Sequence, residues 1–288
     1  MNIKKLKLGS ADYPDRLRQI SSPPNPLFQV GQSLNELLQR PAVAIVGSRR
    51  MSPYGQMVTS QMAGKLAEQG IVVVSDLAFG VDATAHRAAL EAGGLAIAVL
   101  PGPLDNILPV ANRRLADKIL TQGGALVSEY PTGNIPFKQN FVARNRLMSG
   151  LADAVLITEA GKQSGTRHTV RFAGDQNKEV LVVPGNINSS FSAGANDFIK
   201  TNKGGLITSY KDILNALGFQ EHETRIQKVR GSNAHEQKLL DLMLQGITAG
   251  ESLLANSGLG VSEFNRALTM LEISSKIRPL GGNNWAIY

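Results

Sequence analysis

Short runs of apolar, largely β-branched residues recur along the chain and alternate with longer segments of helical periodicity. These runs are apolar throughout rather than alternating, which is typical of strands buried on both faces of a sheet. Repeated strand–helix units predict an α/β fold with a doubly wound, mostly parallel sheet. The predicted strands are Ala42–Val46, Ile71–Val74, Leu95–Leu100, Ala125–Val127, Ala154–Ile157 and Val180–Val183.

The same pattern divides the chain into four segments. Residues 1–40 hold turn formers and one short helical pattern, so we expect a lead-in that packs on a main domain of residues 41–218. Polar residues interrupt the pattern at 219–233, which predicts a linker. Three helical patterns and a hairpin with a Gly/Asn turn then predict a winged-helix-like domain at 234–288. Its predicted elements are helices Ala234–Leu244, Ser252–Ser257 and Val261–Leu271, and a hairpin over 276–288.

Composition narrows the functional classes. At 288 residues and 42% hydrophobic content, the chain is able to bury a substantial core. It has no cysteine, which excludes disulfide frameworks, thiol nucleophiles and cysteine-based zinc sites. No apolar run approaches a membrane span and the N-terminus lacks the apolar core of a signal peptide. We therefore expect a cytoplasmic protein with no membrane partner.

The net charge of +7 is unevenly distributed. Residues 231–288 contain four Lys/Arg and five Asp/Glu, so their net charge is −1. Residues 1–230 therefore have a net charge of +8. A basic surplus in the main domain favours a polyanionic partner, nucleic acid above all. The alternative is a soluble basic protein with no such partner, which would have the same net charge.

The turn after the first strand is suited to binding phosphate. Gly47 permits a tight turn, Ser48 offers a hydroxyl, and Arg49 offers a bidentate donor. The helix expected to start near Pro53 adds its positive N-terminal dipole. An ordinary strand-to-helix turn is the alternative interpretation. Neither the dinucleotide fingerprint nor the P-loop pattern occurs and the four histidines show no metal spacing, so no cofactor or metal is expected.

Further turns follow other strands and should converge on the same sheet edge. Ser164, Gly165 and Thr166 come after the fifth predicted strand and open a helix. Because the carboxyl ends of parallel strands share one edge, several glycine turns there favour a binding site.

A basic segment with an aromatic residue lies between two of these strands. It contains Lys138, Phe141, Arg144, Asn145 and Arg146. On a helix, Lys138, Phe141 and Asn145 fall on one face. Cations beside an aromatic ring suit single-stranded nucleic acid, because charge tracks the backbone and the ring stacks on a base. The alternative places Phe141 in the core and both arginines in salt bridges.

Taken together, these segments resemble the DprA (Smf) family of bacterial DNA-processing proteins. The resemblance implies an extended Rossmann-like fold, single-stranded DNA binding without hydrolysis, homodimerisation and loading of a RecA-type recombinase. It also implies that Arg49 binds a DNA phosphate, that Lys138 is a second cation in the groove, and that Phe141 contacts a base. The matching segments are Ala44–Arg49, Val74–His86, Ser128–Gly133, Phe141–Leu151, Glu159–Ala160 with Ser164–Thr166, and Val183–Asn186.

The nucleic-acid-binding set expected from the sequence combines residues of these segments with two neighbouring cations, Lys138 and Arg167. Its members are Gly47, Ser48, Arg49, Lys138, Phe141, Arg144, Asn145, Arg146, Ser164, Gly165, Thr166 and Arg167.

The chain departs from the family pattern in three places. Asp76 stands where the family has glycine, Ser164–Val170 differs from the usual Ser-Gly-Ser-Leu-x-Thr-Ala, and Pro101–Asp105 differs from the usual Gly-x-Gly-Leu-Asp. We expect Asp76 to weaken DNA binding near the phosphate edge and Arg167 to offset it. These departures leave open a paralogue that acts in phage defence or a toxin–antitoxin module rather than in transformation.

Two further alternatives come from other classes of protein. A phosphoribohydrolase of the lysine-decarboxylase-like family shares a related fold, but its catalytic Glu has no counterpart after Thr166, where Arg167 and His168 stand. We therefore expect no enzymatic activity. The near-neutral tail offers only Arg266 on its last helix, which favours protein contact over DNA contact.

Overall fold

A computed structural model describes residues 2–219, 231–244, 247–274 and 276–287. The chain separates into two compact units, Met1–His222 and Glu223–Tyr288, and each is described by itself. Most of the predicted linker, residues 220–230, lies outside the described residues, so its extent stays a prediction.

The first unit is built on a sheet in which the described residues form nine strands. Seven run parallel in the spatial order β6-β5-β4-β3-β7-β8-β9. The order reverses between β3 and β7, and ligands of such sheets bind beyond the carboxyl ends of the strands at that reversal. The seven strands are β3 Ala42–Val46, β4 Val72–Ser75, β5 Ala96–Val99, β6 Ala125–Ser128, β7 Ala154–Ile157, β8 Glu179–Val182 and β9 Gly205–Leu206. This confirms the predicted doubly wound α/β class.

Helices cover both faces of the sheet. Successive residues of β3 point to opposite faces, and both sets are buried: Val43 and Ile45 pack with α3 and α4, whereas Ala44 and Val46 pack in the core that includes α1, α7 and α8. This two-sided burial explains why the strands are apolar throughout. The helices of this unit are α1 Asp15–Arg18, α2 Leu34–Leu37, α3 Pro53–Glu68, α4 Val81–Glu91, α5 Arg113–Thr121, α6 Lys138–Ala143, α7 Asn145–Leu151, α8 Thr166–Asp175, α9 Ala193–Lys200 and α10 Tyr210–Ala216.

Residues 1–40 contribute two strands that the hydrophobic pattern did not predict. β1 Lys4–Leu6 pairs antiparallel with β2 Leu27–Gly31, which pairs antiparallel with β6 at the sheet edge. β1 is three residues long with one buried side chain, so it carries too little period-two pattern to be found in the sequence. Tyr13 and Leu17 are completely buried in the core, so this segment is part of the first unit.

The second unit contains α11 Ala234–Leu244, α12 Gly250–Ser257 and α13 Val261–Ile273, followed by an antiparallel pair, β10 Ile277–Gly281 and β11 Asn284–Ile287. Its core includes Leu239, Leu253, Leu271 and Ile277. The order of helices and hairpin agrees with the predicted one, while the winged-helix assignment itself stays a prediction. In the part of the chain that the structure describes, every helix is too short or too polar to span a bilayer.

A buried histidine in α4 makes the stability of the fold depend on pH. His86 is completely buried, and burial lowers its pKa from 6.5 to about 4, against the opposing charge of Asp76. The folded chain therefore holds a neutral imidazole, whereas the unfolded chain protonates it below its ordinary pKa.

We expect the free energy of unfolding to decrease by on the order of 3 kcal/mol as the pH falls from about 6.5 towards 4, because in this range only the unfolded chain binds a proton at His86. Above that range both states hold a neutral ring, and the group has no effect. Urea denaturation of wild type and His86→Gln between pH 4.5 and 7.5 measures this: the variant should be less stable throughout but show a shallower loss at acid pH. Equal pH slopes in the two proteins would contradict the assignment.

Candidate nucleic-acid interface

The Gly47-Ser48-Arg49 turn is fixed by backbone contacts on both sides. The Ser48 amide donates to the Glu159 carbonyl at 2.9 Å, and the Val81 amide donates to the Ser48 carbonyl at 3.2 Å. The Ser48 hydroxyl accepts from the Gly161 amide at 3.2 Å. A side chain at Gly47 would meet the Glu159 carbonyl oxygen at 2.7 Å, so only glycine allows this approach. The end of β3 is thus joined to the end of β7 and the start of α4.

Gly80 holds the next loop against the same turn. It has a positive φ of 78°, and a Cβ there would collide with the carbonyl oxygen of Ser48. Glycine is required for both reasons. The loop after β4 therefore lies directly on the backbone of Ser48 and Arg49.

Glu159 fixes the other end of the phosphate turn, although it is absent from the predicted binding set. Its Oε2 accepts from the Ser52 amide at 2.8 Å, and its Oε1 accepts from the Ser52 hydroxyl at 2.5 Å. Ser52 in turn caps α3 through the Gly55 amide. Arg49 and Arg50 are exposed between these two fixed points. The available sequence signal was an acid two residues after the end of β7, at the reversal of strand order.

Arg49 lies over the ring of Phe141, with its guanidinium carbon 5.3 Å from the ring centroid. This is a cation–π distance, and Phe141 remains partly exposed. Residues far apart in sequence thus place a phosphate-binding cation and a stacking surface side by side. The described residues show no carboxylate paired with Arg49.

A groove of about 540 Å³ lies beneath this pair, at the reversal between β3 and β7. The loop that opens α8 forms its opposite wall, and exposed Arg50, which the predicted set omits, also lines it. The members of the predicted set that line the groove are Gly47, Ser48, Arg49, Phe141, Arg144, Asn145, Ser164, Gly165 and Thr166.

Three predicted cations lie outside this groove. Lys138 is exposed in the first turn of α6, and the described residues show no acid paired with it. Arg146 pairs with Glu129 at 2.6 Å, as the salt-bridge alternative anticipated. Arg167 is exposed, lies 3.4 Å from Asp197, and lines a separate cavity of about 840 Å³. Of these three, Lys138 is the one with no ion pair among the described residues.

Arg144 is buried and paired, which changes how its predicted role is understood. Its two terminal nitrogens contact the Asp76 carboxylate, each at 2.6 Å, and Nη1 also donates to the Val99 carbonyl at 2.5 Å. Nε donates to Oδ1 of buried Asn145. The Arg144 guanidinium therefore lies in the buried part of the groove lining, which we call the groove floor, and its contacts are with protein groups. The charge of Asp76, which we expected to weaken DNA binding, is matched by Arg144.

A second buried acid lies beside this ion pair. Asp82 lines the groove and its Oδ1 is buried without a hydrogen-bond partner among the described residues. Burial, assisted by the charge of Asp76, raises the pKa of Asp82 well above its usual range, against the opposing charge of Arg144. The floor therefore combines one ionised pair with one carboxyl that is protonated more readily than usual.

The chain has known relatives. Residues 4–218 match the family model described as DNA recombination-mediator protein A. Over 73% of its length, the chain is 40% identical to protein Smf of Escherichia coli. It is 32% identical to a putative DNA processing protein DprA of Mycobacterium tuberculosis over 90% of the chain, and 39% identical to DprA of Streptococcus pneumoniae over 72% of the chain. These matches span 55%, 68% and 72% of the three relatives, so the chain covers only about half of the Escherichia coli protein.

Two solved structures share the fold. DNA processing protein A of Helicobacter pylori, described for its single-stranded DNA binding mode, superposes with a TM-score of 0.67 at 33% identity and covers 75% of this chain and 96% of its own. The DprA structure from Streptococcus pneumoniae superposes with a TM-score of 0.69 at 36% identity and covers 77% and 76%.

The buried ion pair predicts a large effect of removing one partner. Arg144→Met leaves the Asp76 carboxylate buried without a cation, so we expect the free energy of unfolding to fall by about 3–5 kcal/mol. The double variant Asp76→Leu/Arg144→Met removes both charges and should recover much of that loss. Guanidinium denaturation at pH 7 measures both. A loss below about 1 kcal/mol for Arg144→Met, as found for exposed pairs, would show that the pair is solvated.

Proposed function

The chain belongs to the DprA/Smf family of DNA-processing proteins, and from this membership we propose that it binds single-stranded DNA through the groove at Gly47, Ser48 and Arg49. By the same resemblance it protects the strand, forms a homodimer and loads a RecA-type recombinase, in the cytoplasm, during DNA uptake or recombination. The chain spans only part of the length of several relatives, so the activity of a whole protein of this family is proposed for it and not taken from them.

The observation that carries the proposal is the position of Arg49 over Phe141 at the sheet reversal. A cation alone would suit many anions, and an aromatic ring alone would suit many apolar ligands. Together they suit a strand that presents phosphates and unstacked bases in alternation.

The fixed backbone of the turn supports a phosphate at this position. Ser48 is held by Glu159 and Gly161, and Ser52 by Glu159, so hydrogen bonds hold the backbone on both sides of Arg49. A ligand then needs little reorganisation of the backbone, which favours affinity. Lys138, three residues before Phe141, supplies a second exposed cation for the same strand.

The alternative of a phosphoribohydrolase-like enzyme receives less support from the groove. Glu159 is engaged by Ser52, Asp76 by Arg144, and the residues after Thr166 are Arg167 and His168. His168 lines the groove and is the histidine to test for chemistry. Release of base from nucleotides by the wild-type protein, abolished in His168→Ala, would favour the enzyme over the binding protein.

A role in phage defence or a toxin–antitoxin module rests on the departures from the family pattern. One of these departures is Asp76, and its pairing with Arg144 weakens the argument from it, because a paired carboxylate repels a DNA strand less than a free one. The genes that flank the coding sequence would separate this role from one in transformation.

The second unit is proposed to contact protein rather than DNA. Its last helix, α13, has Arg266 as its one cation, and Val261, Met270 and Ile273 are exposed on it. Exposed apolar side chains without a basic stripe suit a protein partner or the dimer.

We expect Arg49→Ala and Lys138→Ala each to weaken binding of labelled oligo-dT and to reduce the slope of log affinity against log salt by about 0.7 for each phosphate no longer neutralised. Lys118→Ala is the matched control, because it removes one exposed cation of α5 that lines neither cavity. Titration by fluorescence anisotropy across salt concentrations gives both quantities. Affinity unchanged in both test variants would refute the site.

Removal of residues 231–288 should leave most of the strand affinity in place, because the proposed groove lies entirely in the first unit. The same oligo-dT titration, with circular dichroism to verify folding of the shortened chain, tests this. A folded truncated protein that has lost most of its affinity would assign the main DNA surface to the second unit.

A further inference from the structure

The groove floor holds two acids and one cation. Asp76, Asp82 and Arg144 all line the groove, and all three side chains are buried. Arg144 forms its ion pair with Asp76, at 2.6 Å. If both acids were ionised, two carboxylates and one guanidinium would give the floor a net charge of −1. A buried negative charge in the lining of a groove opposes the binding of phosphate there.

Asp82 reaches the floor from the start of α4, the helix that meets the phosphate turn. The Val81 amide donates to the Ser48 carbonyl at 3.2 Å, so Asp82 directly follows a residue that is bonded to that turn. Asp82 is 7% exposed, and its Oδ1 is buried without a hydrogen-bond partner among the described residues. A buried, ionised carboxylate oxygen without a donor is unfavourable, whereas a protonated carboxyl has no charge to desolvate.

Charged groups from three elements act on Asp82. Burial raises the pKa of Asp82 well above its usual range, assisted by the charge of Asp76, which follows β4. Arg144, between α6 and α7, and Arg49, in the turn after β3, act in the opposite direction and favour the ionised form. His86 lies one turn further along α4, where burial lowers its pKa to about 4 and keeps its ring neutral near neutral pH.

The remaining surroundings of α4 are apolar on the side that faces the sheet. The strands β3, β4 and β5 that pack against α4 contain no ionisable residue. The ionisable side chains of α3 and α5, and those of α4 other than Asp82 and His86, are exposed. Of the charged groups that act on Asp82, Asp76 and Arg144 are buried and paired, whereas Arg49 is exposed and accessible to a ligand.

A phosphate bound to Arg49 changes the electrostatic balance at Asp82. It neutralises the guanidinium that favours the ionised carboxylate, and it adds a negative charge to the groove. Both effects favour the protonated carboxyl, so the pKa of Asp82 rises further in the complex. Because linkage is reciprocal, a protonated Asp82 in turn favours the bound phosphate.

We propose that Asp82 is a proton-binding site coupled to the strand, which takes up a proton from the solvent when Arg49 binds a DNA phosphate and releases it when the strand leaves. This inference rests on the proposed binding of single-stranded DNA and adds to it a dependence on pH. Strand affinity is highest where Asp82 is already protonated in the free protein. It falls as the pH rises from the pKa of Asp82 in the free protein to its higher pKa in the complex, and is constant above that range.

Asp82→Asn tests the coupling, because its amide resembles a carboxyl that stays protonated. We expect the affinity of wild type for oligo-dT to fall by up to roughly tenfold for each pH unit across the titration of Asp82, and Asp82→Asn to lack this part of the pH dependence. At about pH 8.5 the variant should therefore bind roughly 3- to 30-fold more tightly than wild type, and the two should converge at acid pH.

Asp117→Asn is the matched control for the change in net charge. It removes an exposed acid of α5 that lines neither the groove nor the cavity at Arg167. Its affinity should follow the pH dependence of wild type. A gain in affinity equal to that of Asp82→Asn would show that the effect is one of overall charge and would overturn the coupling.

Two further measurements detect the proton itself. Calorimetric titration with oligo-dT in buffers of different ionisation enthalpy counts the protons taken up on binding. We expect uptake in wild type and in His168→Ala, which removes the histidine that lines the groove, and its loss in Asp82→Asn. In carbon-13 NMR of aspartate-labelled wild type, a carboxyl with a raised pKa should titrate at higher pH with oligo-dT than without it, which tests the coupling without any substitution.

The outcomes separate the coupling from the strand site. Wild type that binds oligo-dT without proton uptake, or with the same pH dependence as Asp82→Asn, would overturn the coupling and leave Arg49-dependent binding intact. A wild-type protein that binds no oligo-dT at any pH would overturn the proposed function and the coupling with it.

Discussion

The parallel pairing of β3 with β7 is the constraint on which the candidate site depends. Val46 of β3 lies in register with Ile157 of β7, and the Ser48 amide continues the pairing to the Glu159 carbonyl. Because the strand order reverses at this pair, the loops that follow the two strands separate and leave a crevice between them. The phosphate turn and the opposite wall of the groove are both consequences of that one register.

Close approach of backbone to backbone converts the crevice into an ordered site. Gly47 and Gly80 let three loops touch without side chains between them, and Glu159 ties the turn to the start of α3. These contacts therefore hold the backbone on both sides of Arg49. A rigid turn with exposed arginines at its tip is suited to repeated, similar phosphates.

The charges of the site separate into two layers. In the buried layer, Arg144 and Asp76 neutralise each other beneath the groove, and Asp82 has a raised pKa beside them. In the exposed layer, Arg49 and Lys138 have no acid partner among the described residues. Residues 138–146 look uniformly basic in sequence, yet Arg144 is buried and paired whereas Lys138 is exposed. The buried cation requires a partner because an unpaired buried charge has a large desolvation cost.

The sequence by itself determined the fold class, because doubly buried parallel strands must be apolar throughout, and it located Gly47, Ser48 and Arg49 at a strand end. It could not find β1, which is short and mostly exposed. Nor could it distinguish Arg144 and Arg146 from Arg49, because an ion pair with Asp76 or Glu129 joins residues distant in the chain. Only the tertiary structure placed Arg49 over Phe141, since this contact depends on the three-dimensional packing of loops from separate strands.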